Sequence, residues 1–356
     1  MDITEALREA SEHLVQTQAL RRSGMSEREI TRASRSGALA RLRPGWYTRG
    51  SFWDDALPEA RHLAALLAAQ RAAASQPLFS HLSAAALLDF PAWAAWLRPP
   101  QRFPSQPDPR TVHVTPARRE QASSSAALIR HRTAIDASDV TSIAGLRCTS
   151  PERTVSDLAR SEPFEVALSS ADARLRDLAR VGRSVDAAAV SSWREDIRGR
   201  AVRQGRQPGN RAVRAVAALA DPLADSPLES VSRMRFAQLG IRVRQQVRAP
   251  ARGRGSHYLD FVLEGLGIWG EADGKHKYLA SGLRGGRSAE EVVYAEKQRT
   301  EWITGTTGLR AVRWGVAQVV TVSKFAAHLR AHGVPFPGSP DESLDPQVRD
   351  FLRTLP

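Results

Sequence analysis

The 356-residue sequence is poor in cysteine, aromatics and acids: it has one cysteine (Cys148), 6% aromatic residues, and 38 Asp plus Glu against 51 Lys plus Arg. A lone cysteine excludes an intramolecular disulfide and any zinc site built from clustered cysteines, which fits a reducing compartment. Long apolar runs are also missing. The most hydrophobic stretch, AAALLDFPAWAAWL, is interrupted by Asp89 and Pro91, and falls short of the ~20 apolar residues that cross a bilayer. The start, MDITEALREASEHL, mixes acids with apolar residues and lacks the basic opening and continuous apolar core of a secretion signal. The expectation is a cytoplasmic protein with no membrane partner.

What is present is ordinary globular composition, with 42% hydrophobic and 25% charged residues, in a chain long enough for more than one hydrophobic core. The net charge of +13 favours polyanions. Neutralising phosphates releases counterions, so salt-sensitive nucleic-acid binding is the natural expectation. A general enrichment in Arg would raise the total everywhere, so the distribution of charge matters more than its sum. Composition breaks divide the chain into 1–50, 51–195, a basic linker at 196–224 containing RGRAVRQGRQPGNR, 225–332, and a Pro-rich tail at 333–356. The expected class is α+β, multidomain.

In the first segment, Ser26 with Glu29 three residues later forms a capping box, and Gly37 can end the resulting helix in a left-handed cap. LARLRPGWYTR then reads as two strands around Pro44-Gly45. The order is helix, turn, helix, wing. Between Arg21 and Arg49 stand eight arginines and two acids, Glu27 and Glu29. Arg28, Arg32 and Arg35 recur at helical spacing, and Arg41 and Arg43 lie on the following strand, so these five are the expected contacts to double-stranded DNA. The competing reading is a solvated basic helix in a small docking module.

The middle segment mixes helices (EARHLAALLAAQRAAA, SHLSAAALL) with short strands (TVHVTP, ALIRHRT, GLRCTS), and Ser150-Pro151 opens a further helix. His81, His113 and His131 have no helical i, i+4 relation and no carboxylate at ligand spacing, so they read as structural.

The chemistry lies further on. SPLESVSRMRFAQLGIRVRQQV, SHYLDFVLEGLGIWGEADGKHKY and SAEEVVYAEKQRTEWITGTTGLRAVRW imply helix, strand, strand, strand, helix, strand. Asp260 falls on one strand and Glu271 on its hairpin neighbour across Glu264-Gly265. Alternation puts Trp269, Glu271, Asp273 and, if the strand continues, Lys275 on one face. Acids on an otherwise apolar strand need a positive neighbour, and a hard cation supplies it. The expected ligands are Asp260, Glu271 and Asp273 around Mg²⁺, with Mn²⁺ as its substitute, and a lysine that orients or deprotonates the attacking water. Lys275 leads on strand register. The bland reading is an edge strand with a solvated outer face. Lys297 and Glu301 are an i, i+4 pair, so part of the charge on the following helix is plain stabilisation, while Arg299 could reach a phosphate.

Asp260 followed by Glu271-Ala272-Asp273-Gly274-Lys275 resembles the PD-(D/E)xK pattern of restriction-endonuclease-like proteins, in particular the very-short-patch-repair endonuclease-like group. The resemblance continues through Lys277-Tyr278, Glu296-Lys297-x-Arg299 and Val312-Arg313-Trp314, covers about 225–320, and implies Lys277 as the alternative to Lys275 if Glu271-x-Asp273 is the acidic pair. It implies an α/β domain with a central mixed sheet and metal-dependent phosphodiester hydrolysis. It also implies a catalytic role for Glu229, on the first helix, although Ser226-Pro227-Leu228-Glu229 reads equally as a capping box. MSEREITRASRSGALARLRPGWYTR, with SHLSAAALL and GLRCTSPERTVSDLA, resembles the winged helix-turn-helix region of AbiEi-type antitoxins from type IV toxin–antitoxin systems and spans most of 15–160. That resemblance implies promoter binding and a cognate toxin as partner. Two functions therefore stand: a Mg²⁺-dependent DNA endonuclease, or an antitoxin-like transcriptional regulator whose nuclease-like domain is not catalytic. An RNA-acting variant is a third.

Overall fold

The computed structural model describes residues 2–98, 106–116, 124–203, 205, 207–252, 255–273 and 289–356. The protein is mixed α+β and divides into two compact units, 1–170 and 171–356.

The first unit opens with α1 (Ile3–Glu12), β1 (Leu14–Gln16), α2 (Thr17–Arg22) and α3 (Glu27–Arg35). The capping box at Ser26 is complete. Ser26 Oγ accepts from the Glu29 N–H at 3.3 Å, and the Glu29 carboxylate accepts from the Ser26 N–H at 2.7 Å, satisfying two of the donors a helix start leaves open. Gly37 takes φ +81° just past the helix end, where a side chain would be strained. β2 (Leu39–Arg43) and β3 (Trp46–Arg49) form an antiparallel hairpin over Pro44-Gly45, and β1 pairs with the other edge of β3.

The unit continues through α4 (Gly50–Asp55), α5 (Pro58–Ala72), α6 (His81–Leu87), β4 (Val112–Val114), β5 (Leu128–Arg130), β6 (Val140–Ile143), β7 (Leu146–Thr149) and α7 (Pro151–Ser161). Ser150 caps α7 by accepting from the Arg153 N–H, with Pro151 in the first turn. α5 is apolar around most of its circumference and is buried from His62 to Ala69. One core cluster joins Ala6, Leu7 and Leu42 to Leu66, Phe79, Val112 and Cys148. The N-terminal helices and hairpin thus share their core with α5 and the strands that follow it.

α8 (Phe164–Ala179) carries the chain past residue 170, followed by the short strands β8 (Arg180–Val181) and β9 (Ser184–Val185), then α9 (Ala187–Arg203) and α10 (Asn210–Leu219). Within 196–224, Ile197, Ala201, Val213, Ala215 and Val216 are fully buried. Next come α11 (Pro227–Leu239), β10 (Val243–Pro250), β11 (Ser256–Leu263), β12 (Ile268–Ala272), α12 (Ala289–Thr307), β13 (Arg310–Trp314), α13 (Val316–Val319), α14 (Val322–Ala331) and α15 (Pro346–Arg353). In the C-terminal tail, Val334, Val348 and Leu352 are buried.

The strands form one mixed sheet in the order β10-β11-β12-β13, antiparallel except for the parallel pair β12–β13. β12 is therefore an interior strand. One face carries an aromatic cluster in which Phe236 of α11 meets Phe261, Trp314 and Phe325 at centroid distances of 5.4, 5.4 and 5.0 Å. The Trp314 indole N–H donates to Ser232 Oγ at 2.7 Å. On the other face, Val262 and Trp269 pack with Ile303 of α12.

Gly270 is where these packing demands meet. A Cβ there would stand 2.2 Å from Trp314 Cη2, so the indole can lie over the strand only because position 270 has no side chain. Gly270→Ala is expected to destabilise the second unit by about 1–3 kcal/mol, the usual range for overpacking, read as a lowered urea midpoint. An unchanged midpoint would mean that the indole moves aside at no cost.

Candidate functional site

Of the three expected acids, Asp260 and Glu271 fall on the α12 face of the sheet. β11 and β12 pair Val262 with Trp269 and Phe261 with Gly270, and one further step along this register sets Asp260 across from Glu271. Alternation then puts both on the face of Val262 and Trp269. Asp260 Oδ2 accepts from the Ala272 N–H at 2.9 Å, which ties the carboxylate to the backbone beside Glu271. On the other side of β12, Glu271 pairs in register with Arg313 of β13. Asp273 lies just beyond the end of β12, where its N–H still donates to the Trp314 carbonyl at 2.8 Å. Lys275 and Lys277 lie outside the described residues.

α12 supplies the remaining charges. Arg299 donates to the Glu271 carboxylate and, at 3.2 Å, to Glu296, while its other nitrogen reaches the Tyr258 carbonyl at 3.3 Å. Arg313 donates to Glu296 and, at 2.7 Å, to Thr300 Oγ1. Burial alone would weaken Arg299's hold on its proton, but Glu271 and Glu296 reverse this and raise its pKa above the ordinary value. Two acids and two guanidiniums thus form one closed network. The helix charge Lys297, by contrast, makes only an exposed pair with Glu301 at 4.0 Å.

The network leaves one oxygen incompletely served. Glu271 Oε2 lies 2.9 Å from Arg313 Nη2 but is buried without a hydrogen bond. Together, Asp260 and Glu271 provide the one or two carboxylates that suffice for Mg²⁺ with its own waters and substrate phosphates. Among the described residues, no three His, Cys, Asp or Glu side chains gather in a way that could hold a metal ion.

Glu229 is committed elsewhere. It is buried, and its oxygens accept from the Asp225 N–H at 3.0 Å, Ser226 Oγ at 3.0 Å and Gln246 Nε2 at 3.1 Å. Burial pushes its pKa up, against the pull of those hydrogen bonds. The capping role is thus present in full. Gln246 was not picked out by the sequence reading. It sits between the register pairs Gln245–Phe261 and Val247–Leu259, level with Asp260, at φ +52°. Its side chain also accepts from Arg183 at 2.6 Å, so a left-handed, non-glycine residue is held from both ends.

In the first unit, Arg28, Arg32, Arg35 and Arg41 are exposed, whereas Arg43 is half-buried. Among the described residues, none of the four exposed side chains is held in an ion pair, while nearby Arg21 pairs with Glu27. Ile30, on the opposite side of α3, is buried.

The sequence reading also missed how the histidines assemble. His131 stacks on His81 with ring centroids 3.4 Å apart, and its Nε2 lies 2.9 Å from His113 Nδ1. His62 Nδ1 donates to the Pro109 carbonyl at 2.8 Å, leaving Nε2 to accept from Ser83 Oγ at 3.0 Å, and this fixes a neutral tautomer. The signal that could have found them, residues brought together by β4, β5 and α6, is a pairing pattern with no local trace. Beside them, the buried Arg153 guanidinium donates to Asp157 at 2.9 Å, Asp139 at 3.0 Å and the Ala134 carbonyl at 2.8 Å.

Two outcomes follow from this geometry. Burial holds His62 and His131 down to about 4 and His113 to about 3. The unfolded chain therefore binds more protons below pH 6.5, and stability should fall as the pH is lowered through that window. Asp157, raised to about 6 by burial, takes up its proton in the folded state first and offsets part of this. Amide-exchange protection across α5 and α6 should be weaker at pH 5 than at pH 7, and equal protection would contradict the sign. For the second unit, a double-mutant cycle of Glu271→Gln with Arg299→Gln should give a coupling of about 0.5–3 kcal/mol in urea unfolding, and additive effects would mean that the pair is not energetically joined. Comparison with protein-family models and with curated proteins returns no match, so the assignment of this site rests on the residues of the chain itself.

Proposed function

We propose that this chain is a DNA-binding protein whose second unit hydrolyses phosphodiester bonds with a divalent cation, Mg²⁺ or Mn²⁺. The observation that carries the reading is the position of Asp260 and Glu271 one register step beyond the Phe261–Gly270 pair, on the face that α12 covers with Arg299. In this reading the unit has a restriction-endonuclease-like fold, and α2, α3 and the β2–β3 hairpin act as a winged helix-turn-helix. The exposed Arg28, Arg32, Arg35 and Arg41 contact duplex phosphates and groove edges.

Asp260 and Glu271 would hold the cation, which when bound lowers the pKa of water and polarises a phosphoryl oxygen. Asp260 is anchored through the Ala272 N–H. Arg299 and Arg313 are the nearest guanidiniums to Glu271. A phosphate arriving at this face offers them oxygens in place of the carboxylate, and they would stabilise the charge that builds on those oxygens. Asp273 is the proposed third carboxylate, with Lys275 or Lys277 for the water.

A second reading is favoured by the same network. Glu271 is already neutralised within the fold by two arginines, and a closed network of this kind can persist as structure in an antitoxin-like regulator that binds DNA without cutting it.

Nicking of supercoiled plasmid separates the two. The enzyme reading expects cleavage that requires Mg²⁺ or Mn²⁺ and falls by about a hundredfold or more in Asp260→Ala, with duplex binding retained in a gel shift. Salt-dependent shifts from both proteins and nicking from neither would establish the regulator.

A further inference from the structure

The first unit contains a recessed cavity of about 500 Å³ whose lining includes Arg43, Arg130 and Arg147 together with Leu78, Val114 and Leu128. Part of the backbone that builds it is paired. β4 and β5 set Val114 beside Arg130, and the Phe79 N–H donates to the Arg147 carbonyl at 2.9 Å. Arg43 enters at the end of β2.

Arg43 and Arg147 differ from the arginines that are fully buried elsewhere. Arg98 is paired with Glu162, Arg153 with Asp139 and Asp157, and Arg235 donates to the Val319 and Val320 carbonyls and to Gln238. Among the described residues, Arg43 and Arg147 make no ion pair, and no Asp or Glu lines the cavity. Burial and the neighbouring Arg130 both depress the pKa of Arg43. Partial burial beside a like charge is costly for Arg43, and an anion held by Arg43 and Arg147 would offset that cost.

We propose that this cavity binds a small phosphorylated molecule with an apolar or aromatic body. Guanidiniums present planar forks that match phosphate oxygens, the aliphatic wall accepts the body, and the volume lies within the range of small-ligand sites. A duplex backbone fits less well, because its phosphates lie on a convex surface while Arg43 and Arg147 are half-buried around a hollow. The exposed Arg28, Arg32, Arg35 and Arg41 are the residues suited to that partner. The inference does not depend on the acidic site of the second unit.

Calorimetric titration of the full chain with inorganic phosphate, glycerol phosphate and AMP tests it. Affinity is expected to rise in that order, and Arg43→Gln and Arg147→Gln should each weaken AMP binding by about tenfold or more with thermal midpoints close to that of the parent protein. Three results would overturn the proposal: no binding of AMP, AMP binding as tight in both variants as in the parent, or binding of a duplex oligonucleotide alone with loss in Arg147→Gln. If either variant melts early, Leu128→Gln, which leaves the arginines in place, should selectively weaken AMP relative to inorganic phosphate, and equal weakening of both would count against the apolar wall.

Discussion

A carboxylate on an interior strand cannot be left alone, and much of the second unit is arranged around that constraint. β12 is paired on both edges, so Glu271 has no open strand edge through which to reach solvent. Arg313 arrives beside it because β13 pairs with β12 in parallel, and Arg299 arrives from above because α12 packs on that face through Ile303. Glu296 closes the network by holding both guanidiniums. The aromatic cluster on the opposite face supports this arrangement, since the Trp314 indole fits over Gly270 and keeps β13 against β12.

Polar groups buried in the first unit follow a related rule with different partners. Arg153 is surrounded by two carboxylates and a carbonyl, so its charge is neutralised where it sits. The histidines instead give up their charge, because desolvation favours neutral imidazoles that stack and hydrogen-bond to one another. Arg43 and Arg147 fit neither pattern among the described residues, which is why the cavity they line stands apart from the rest of the unit.

Local signals were legible wherever a few adjacent residues decide the outcome. The Ser26–Glu29 box, the left-handed Gly37, the Pro44-Gly45 turn and the Ser150 cap all form as read. The same holds for the helix, strand, strand, strand, helix, strand order of the acidic region and for the hairpin between Asp260 and Glu271. Glu229 was readable in two ways, and its contacts are those of the cap, with the added bond to Gln246. Composition was a weaker guide. The Arg-rich run around residue 200 contains helical residues with buried apolar side chains, a face that its charge density conceals.

The sequence by itself therefore determined the local elements, the basic character of α3 and the pair of acids two strands carry, because capping, turn geometry and side-chain alternation act over a handful of residues. Only the tertiary structure decided what those acids touch. Arg299 and Arg313 stand 28 and 42 residues beyond Glu271 in the chain, and strand pairing and helix docking bring them to the same carboxylate. The stacking of His81, His113 and His131 and the convergence of Arg43, Arg130 and Arg147 on one cavity have the same origin: electrostatic partnership depends on distance in space, which residue spacing along the chain does not encode.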